Sequence, residues 1–540
     1  MNWKVSDLTL EQKIGQMFIC GFDALTPNEH AKKLIQEHHV GGIVYFRRNV
    51  QKLSQLSELS SSLQQLAASS GEPPLIVSID QEGGMVARID HEGISRIPGN
   101  MALGAAGSTD YTYEVGKIGA KELRALGVNM NFAPCIDVNN NPLNPVIGVR
   151  SFGEDPKTVA AHGVAAIKGY QEEGVSATAK HFPGHGDTSV DSHLGLASVP
   201  HDRTRLEQVE LYPFKEAIAG NVDAIMTAHV SFPAIEPDPI PATLSYAVLT
   251  GLLREELDFD GLIITDCLEM HAIAKEFGIP EGAVRSIEAG ADCVLVSHRL
   301  ELQESAIKAV VEAVKSGRIT EERIDSSVER ILSLKMRNAE KAANLPAVDI
   351  AEISSSAEAL LFEIAAKGIT LVRDEQQLPL DREVSTLVYW PELLKATEVD
   401  EAWSRSYTLG DAIAASKGKV EEIRIGTDLT DEEVEAAVQE AKHYKQVVVA
   451  TYTSESKLSS GQRKLVEKLM QLGSVKLIVA STRNPYDLNE ISQVPTYLCC
   501  YENTPFYMDA LSGVLYGDVI PEGKLPVSLN DVQESGSKAN

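Results

Sequence analysis

Residues 176–182, SATAKHF, form a short apolar run that ends on the basic pair Lys180 and His181. A longer amphipathic stretch, PKTVAAHGVAAIKGYQEEG at 156–174, precedes this run and stops at a glycine. A short apolar run predicts a buried strand, and an amphipathic stretch closed by glycine predicts a helix. The same alternation continues on both sides of this segment, and it decides the fold.

Seven other apolar runs resemble this one, and helical patterns separate most of them. They are MFICGF (17–22), GGIVYF (41–46), LIVSID (75–80), NMNFAPCIDV (129–138), DAIMTAHV (223–230), GLIITD (261–266) and DCVLVS (292–297). Alternating strands and helices favour a parallel sheet, and eight such units favour a closed one. We therefore predict the α/β class, with an N-terminal (β/α)8 TIM-type barrel over residues 1–340.

A second, smaller unit follows the predicted barrel. We interpret residues 341–356 as a linker and residues 357–540 as an α/β sandwich domain with a mainly parallel sheet. Its strand-like runs are VSTLVYW, KQVVVATYT, VKLIVAS and PTYLCCYE. The unit contains neither a GxGxxG nor a GxxxxGK[ST] motif, so the sequence gives no support to nucleotide binding.

The charge and the termini limit the classes of partner. The 540 residues carry a formal net charge of −28, which argues against nucleic acid or an anionic membrane as the main partner. The first residues, MNWKVSDLTLEQKIGQMF, are typical of a capped helix, and no apolar run reaches the ~18 residues of a membrane span. The six cysteines show no CxxC spacing. This pattern favours free thiols in a reducing compartment, and we predict a cytoplasmic protein.

Several of the predicted strands end on polar or ionisable side chains. These residues are Asp80, Asp137, Lys180 with His181, His229 and Asp266. One such residue commonly caps the next helix, but five strands that share the feature indicate a common site. In a (β/α)8 barrel the carboxyl ends of all strands meet on one face, which is where active sites lie.

The segment KHFPGHGDTSVDSH at 180–193 concentrates titratable groups beside glycines. Four of its side chains are legitimate metal ligands: His181, His185, Asp191 and His193. All four stand on one loop, however, and the first strand lacks the His-x-His ending that a metal-dependent barrel hydrolase would offer. A second interpretation is that the histidines only pack or shape the loop.

Acid/base chemistry is the third interpretation of this segment. Asp191 lies two residues before His193, so its carboxylate could hold the imidazole and leave the other ring nitrogen to exchange a proton with a substrate. Such a pair needs a partner that attacks carbon, and Asp266 is the candidate nucleophile. A proton donor and a nucleophile on either side of a glycosidic oxygen is the design of retaining glycosidases.

Four segments together resemble glycoside hydrolase family 3, specifically its β-N-acetylglucosaminidase branch. They are KHFPGHGDTSVDSH (180–193), SIDQEGGMVARI (78–89), NPVIGVRSFGEDP (144–156) and IITDCLEM (263–270). The closing GKLPVSL (523–529) is similar to that of two-domain members. The resemblance implies an exo-acting, retaining enzyme that removes terminal β-linked N-acetylglucosamine, with no cofactor and no metal.

The resemblance also implies a role for individual residues. Asp266 is the nucleophile that it implies, and His193 is the acid/base oriented by Asp191. The residues that it implies for binding the sugar hydroxyls and the acetamido group are Asp80, Arg88, Arg150, Lys180 and His181. The implied partner is a small carbohydrate, either an N-acetylglucosamine-terminated oligosaccharide from chitin or a muropeptide from cell-wall recycling.

Two alternatives stay open beside this prediction. Histidine in place of a carboxylic acid would not repel an anionic acceptor, so the same site could act as a β-N-acetylglucosaminide phosphorylase. A metal-dependent hydrolase is the other alternative. Cys267 follows the implied nucleophile where many relatives carry Asp or Ala, and we expect altered packing there but not lost catalysis. For His185 the sequence indicates no specific role, and His229 is expected at the floor of the pocket.

Overall fold

The structure is a computed structural model that describes residues 3–189, 195–392, 407–453 and 457–530. Eight parallel strands close into a barrel in chain order: β1 (Phe18–Cys20), β2 (Gly42–Tyr45), β3 (Ile76–Ile79), β4 (Met130–Asn131), β5 (Ser176–Phe182), β6 (Ala224–Thr227), β7 (Leu262–Cys267) and β8 (Cys293–Val296). β8 pairs with β1 and completes the barrel. The predicted TIM-type barrel is confirmed, and each predicted run contains one strand.

Helices surround the barrel and link its strands. They are α1 (Leu10–Gln16), α2 (Glu29–Gln36), α3 (Leu53–Ser69), α4 (Asn100–Ala106), α5 (Thr109–Ala125), α6 (Pro156–Glu172), α7 (Arg203–Gln208), α8 (Tyr212–Ala219), α9 (His271–Ala274), α10 (Ile279–Ala289), α11 (Leu300–Lys315) and α12 (Glu321–Asn344), with a π-helix at Ala247–Glu256. The helix before β5 shows why the local sequence folds this way. Asp155 accepts a hydrogen bond from the Thr158 N–H at 2.9 Å, and Pro156 takes the first helical position.

One barrel strand is much shorter than its apolar run predicts. The run at 129–138 forms a strand only at Met130–Asn131, because Pro134 has no N–H to give to a ladder. The chain nevertheless stays beside β5, where Cys135 forms an isolated bridge with Lys180. Asp137 is therefore carried to the same face as Lys180.

The second sheet has six strands and a separate hydrophobic core. In the order β9–β14–β13–β12–β10–β11 the strands are Thr370–Asp374 (β9), Thr496–Cys499 (β14), Lys476–Ser481 (β13), Gln446–Thr451 (β12), Thr386–Pro391 (β10) and Val420–Ile425 (β11). Only the edge strand β9 runs antiparallel to its neighbour, so the predicted mainly parallel sheet is confirmed. The helices of this part are α13 (Ile350–Gly368), α14 (Leu409–Ala415), α15 (Asp431–Ala441), α16 (Ser460–Met470) and α17 (Pro505–Tyr516).

Five residues, 345–349, connect α12 to α13. The assignment of 341–356 as the linker, and of 1–340 and 357–540 as the domains, stays a prediction. The described ranges contain no helix with both the length and the apolar character that crossing a membrane requires.

Candidate active site

A cavity of about 410 Å³ opens at the carboxyl ends of the barrel strands. Six residues that the sequence predicts for the site line it together: Asp80, Arg88, Arg150, Lys180, His181 and Asp266. The other two, Asp191 and His193, lie outside the described residues. Four separate stretches of chain therefore converge on one cavity, as the shared polar strand ends predict.

Different elements deliver these side chains. Asp80 directly follows β3, while Lys180 and Asp266 lie inside β5 and β7. Arg150 ends a short 3-10 turn, Gly148–Arg150, and Arg88 directly follows the two-residue strand Val86–Ala87. Residues from rigid barrel strands and from turns anchored on them can be held precisely enough to orient a substrate.

A buried carboxylate that the sequence analysis missed, Glu82, organises the basic groups of the cavity. Its Oε1 lies 2.7 Å from Lys180 Nζ and 2.8 Å from Arg150 Nη2, and its Oε2 accepts from Arg150 Nε at 3.1 Å. Lys180 Nζ also donates to Asp80 Oδ1 at 2.8 Å. The four charges form a chain that crosses the wall of the cavity. Glu82 lies in the segment SIDQEGGMVARI, which the sequence analysis singled out, but the sequence does not indicate its ion-pair partners.

The electrostatics of this chain follow from burial and pairing. Burial alone would raise the pKa of Glu82, but the guanidinium of Arg150 and the ammonium of Lys180 hold that pKa well below its usual range. Burial lowers the pKa of Lys180, and the Asp80 and Glu82 carboxylates more than reverse that effect. Glu82 and Lys180 are therefore both ionised at neutral pH, and they present fixed charges at the cavity to a polar ligand.

His181 is oriented by a second buried carboxylate, Asp137. Asp137 Oδ2 lies 2.7 Å from His181 Nδ1, and its two oxygens also accept from the backbone N–H of His181 at 3.1 and 3.2 Å. Because a carboxylate accepts, Nδ1 carries a proton and Nε2 faces Arg150 Nη2 at 3.4 Å. Burial raises the pKa of Asp137, and the His181 ring, together with His185, outweighs this effect and brings the pKa to about 2.

His185 helps to fix the loop that follows β5. It is buried, its Nδ1 lies 2.8 Å from Thr188 Oγ1, and its backbone N–H donates to Asp137 Oδ1 at 2.6 Å. Burial and the neighbouring His181 lower the pKa of His185 to about 4. The ring is therefore neutral at pH 7, and His185 also lines the cavity.

Asp266 is held by the residue that follows it. Its Oδ1 accepts from the backbone N–H of Cys267 at 2.7 Å, and burial raises the pKa of the Cys267 thiol to about 12.

The predicted position of His229 at the pocket floor is wrong. His229 is absent from the cavity lining among the described residues. His229 is fully buried, its Nε2 donates to the Cys267 carbonyl at 3.0 Å, and its Nδ1 lies 2.8 Å from Thr243 Oγ1.

Another part of the cavity lining comes from the segments that follow β2, β7 and β8, and it was not predicted. It contains Phe46, Glu269, Met270, Ser297 and His298. The His298 ring packs against Phe46 with centroids 5.0 Å apart, and Glu269 Oε1 accepts from the His298 N–H at 2.7 Å. Glu269 and Met270 belong to the segment IITDCLEM but had no predicted role, and Phe46, Ser297 and His298 lie in none of the four motif segments. Barrel closure brings all five beside the predicted residues.

Two groups of donor atoms in the described residues are close enough to suggest a cation site. In the first, Cys135, Asp137 and His181, the Asp137 carboxylate is already used by the ring and backbone donors described above and by Cys135 Sγ at 3.1 Å. The second contains Asp187, His201 and Glu210, where Arg205 supplies a cation at 3.6 and 3.2 Å from the two carboxylates. In both groups the donors are already engaged in hydrogen bonds or ion pairs within the protein. Asp191 and His193, two ligands of the metal interpretation, lie outside the described residues.

Comparison with known proteins agrees with the geometry. The model of the glycosyl hydrolase family 3 N-terminal domain matches residues 9–334, and that of the family 3 C-terminal domain matches residues 288–539. A solved structure of a glycoside hydrolase family 3 β-N-acetylglucosaminidase from Paenibacillus sp. str. FPU-7 is similar at 51% identity and a TM-score of 0.92. The similarity extends over 96% of this chain and 98% of the Paenibacillus chain.

Curated proteins are also similar in sequence. Beta-hexosaminidase A of Pseudoalteromonas piscicida is 38% identical over 369 residues, which are 64% of this chain and 62% of the relative. The chain therefore spans less than two thirds of that relative's length. A protein of Cellulomonas fimi named beta-N-acetylglucosaminidase/beta-glucosidase is 29% identical over 97% of this chain and 94% of its own length.

Proposed function

Because the chain belongs to glycoside hydrolase family 3, we propose that it is an exo-acting, retaining β-N-acetylglucosaminidase acting on terminal β-linked N-acetylglucosamine. The observation that carries the proposal is the convergence of Asp266 with Lys180, Arg150 and Arg88 in one cavity. An anionic nucleophile beside fixed cations and carboxylates suits a polyhydroxy substrate, whose vicinal hydroxyls need both donors and acceptors.

The reaction that we propose has two displacements. An Asp266 carboxylate oxygen attacks the anomeric carbon while the bond from that carbon to the glycosidic oxygen breaks, and His193 gives its proton to the departing oxygen. Water then attacks the same carbon, His193 takes a proton from it, and the ester bond to Asp266 breaks. The Cys267 N–H at 2.7 Å from Oδ1 supports this role, because it orients the attacking carboxylate.

The sugar would be held by the other half of the cavity. Lys180 and Arg150 donate to hydroxyls or to the acetamido oxygen, and Asp80 accepts from a hydroxyl. The ring nitrogen of His181 that does not face Asp137 is the remaining polar contact, with Arg88 beside Asp80 at 3.8 Å. All of these side chains are at most about one-fifth exposed, so their bonds to sugar form where water competes little.

We propose water as the acceptor. The relatives compared above carry the names of glycosidases, so phosphorolysis is not favoured. Substrates that end in N-acetylglucosamine from chitin and from cell-wall fragments both suit the proposal. The six cysteines are unpaired, and this fits the predicted cytoplasmic location.

We expect release of nitrophenol from p-nitrophenyl β-N-acetylglucosaminide in EDTA, at a rate at least ~100-fold above that from the plain β-glucoside. An acetamido group read by buried donors discriminates strongly, because its absence leaves those donors unpaired. Steady-state assays of both substrates measure the ratio. Equal rates on the two sugars, or activity that appears only with added zinc, would reject the proposed substrate or the proposed chemistry.

His193→Ala tests the acid role separately. We expect ~10²- to 10⁴-fold loss of kcat/KM on chitobiose, whose leaving group needs a proton. The loss on the nitrophenyl glycoside should be much smaller, because nitrophenolate leaves without being protonated. His185→Ala is the matched control in the same sequence segment, and its losses should be similar for both substrates. Equal losses in His193→Ala would contradict the acid assignment.

A further inference from the structure

The second sheet reaches the back of the cavity through one buried carboxylate, Glu502. It follows β14, is 1% exposed, and accepts from the backbone N–H of Gly99 through Oε2 at 2.6 Å. Its other oxygen accepts from Thr504 Oγ1 at 2.5 Å. A buried carboxylate that bonds across the two parts of the chain needs a reason, because burying it costs free energy.

The first connection from Glu502 to the cavity runs through the start of α4. Gly99 precedes Asn100, whose side-chain amide donates to the Arg150 carbonyl at 2.6 Å and to the Cys135 carbonyl at 3.2 Å. The backbone position of Arg150 is therefore fixed by the residue next to the one that Glu502 holds.

The second connection runs through the turn that carries Glu82. Gly84 has a φ of +53° and lies against Gly99, so that a Cβ at Gly84 would come within 2.7 Å of the Gly99 Cα. The same Cβ would come within 3.1 Å of Glu502 Oε2. Gly84 N–H also donates to the Ile97 carbonyl at 3.0 Å. Glu502, Gly99 and the turn of Glu82 are thus in direct contact.

We propose that Glu502 is a positioning residue that sets the geometry of the Glu82–Arg150–Lys180 chain from the second domain. Both connections end on that chain, one at the Arg150 backbone and one at the Glu82 turn. The segment GKLPVSL (523–529) makes a further contact between the two parts of the chain. Its Pro526 carbonyl accepts at 3.0 Å from the N–H of Glu154, which lies four residues after Arg150. This inference rests on the proposed function and gives the second domain a part in it.

The test compares Glu502→Ala and Glu502→Gln with a matched control, Glu422→Ala. Glu422 makes the same kind of bond, to the Gly410 N–H at 2.9 Å, but it lies on β11 at the far edge of the sheet. We expect Glu502→Ala to raise KM for the nitrophenyl substrate roughly 10- to 100-fold with a smaller change in kcat, because binding groups are displaced while Asp266 is not. Glu502→Gln should recover most of the loss, since its amide oxygen still accepts from Gly99. Glu422→Ala should keep the KM.

Thr504→Val keeps the proposal testable if Glu502→Ala does not fold. It removes only the hydroxyl donor to Glu502 and should raise KM in the same direction by less. An unchanged KM in folded Glu502→Ala, or an equal rise in Glu422→Ala, would overturn the inference.

Hydrogen–deuterium exchange separates this inference from the proposed activity. Exchange in residues 81–89 and 144–153 should quicken in Glu502→Ala and not in Glu422→Ala, whether or not the nitrophenyl substrate is cleaved. If the wild-type enzyme lacks activity but exchange responds in this way, the proposed function fails and the positioning role stands. If exchange in both segments is unchanged in Glu502→Ala, the positioning role fails by itself.

Discussion

Asp266→Ala should lower kcat on p-nitrophenyl β-N-acetylglucosaminide by at least about a thousandfold while the protein stays folded. The Asp266 carboxylate is the only nucleophile that we propose. Without it the covalent intermediate does not form, and the remaining substrate contacts cannot compensate for that loss. The alanine leaves the other cavity groups in place, so KM should change by only a few-fold. Steady-state kinetics on protein with an unchanged unfolding temperature measures both quantities.

Azide distinguishes a lost nucleophile from a merely disturbed site. A small anion that enters the space left by the carboxylate should attack the same face of the anomeric carbon and give an α-glycosyl azide with the nitrophenyl substrate. Cys267→Ala is the matched control: it keeps the backbone N–H that orients Asp266 and removes only a protonated thiol. We expect its activity within about tenfold of wild type. A β-configured azide, or full activity of Asp266→Ala, would contradict the assignment.

The barrel could be predicted because each of its strands has a local signal. Runs such as GLIITD are apolar up to their polar last residues, since a strand inside a barrel is buried on both faces. The helices between them have clear stop signals. The short β4 marks the limit of this reasoning. Apolar character continues past Pro134, but the regular strand ends at Asn131, and beyond Pro134 an isolated bridge at Cys135 pairs the segment with β5.

The site could be predicted only where a motif or a strand end marked it. Asp80, Lys180 and Asp266 stand at the ends of apolar runs, and the structure brings them to one cavity. Glu82 was not predicted as a site residue, because its role depends on pairing with Arg150 and Lys180, which lie 68 and 98 positions away. The sequence alone does not show such distant pairs. His229 was misplaced for the complementary reason. A polar strand end can be bonded within the protein instead of lining the cavity, and the His229 ring is buried against the Cys267 carbonyl and Thr243.

The charge chain also makes a prediction about stability, through Glu82→Gln. The amide keeps the shape of the side chain but leaves the Lys180 and Arg150 cations buried without their shared counter-ion. Breaking a buried ion pair in this way costs about 3–5 kcal/mol of unfolding free energy. Displaced binding groups should also lower kcat/KM roughly 100-fold. Chemical unfolding at pH 7 and steady-state kinetics measure these effects.

The pH dependence of this loss has a definite sign. The folded-state pKa of Glu82 lies well below its ordinary value, so its stabilising contribution is present above the ordinary carboxyl pKa and is lost as pH falls through the depressed one. The stability difference between wild type and Glu82→Gln should therefore be full at pH 7 and shrink below about pH 4.

Glu72→Gln provides the control for both measurements. Glu72 is also buried and paired, with His39 Nδ1 at 2.7 Å, but it precedes β3 and so lies at the opposite end of the barrel from the cavity. Its loss should cost stability without changing kcat/KM, because that end of a (β/α)8 barrel serves stability and not catalysis. If Glu72→Gln impaired turnover as much as Glu82→Gln, the charge chain at the cavity would have no special part in binding the sugar.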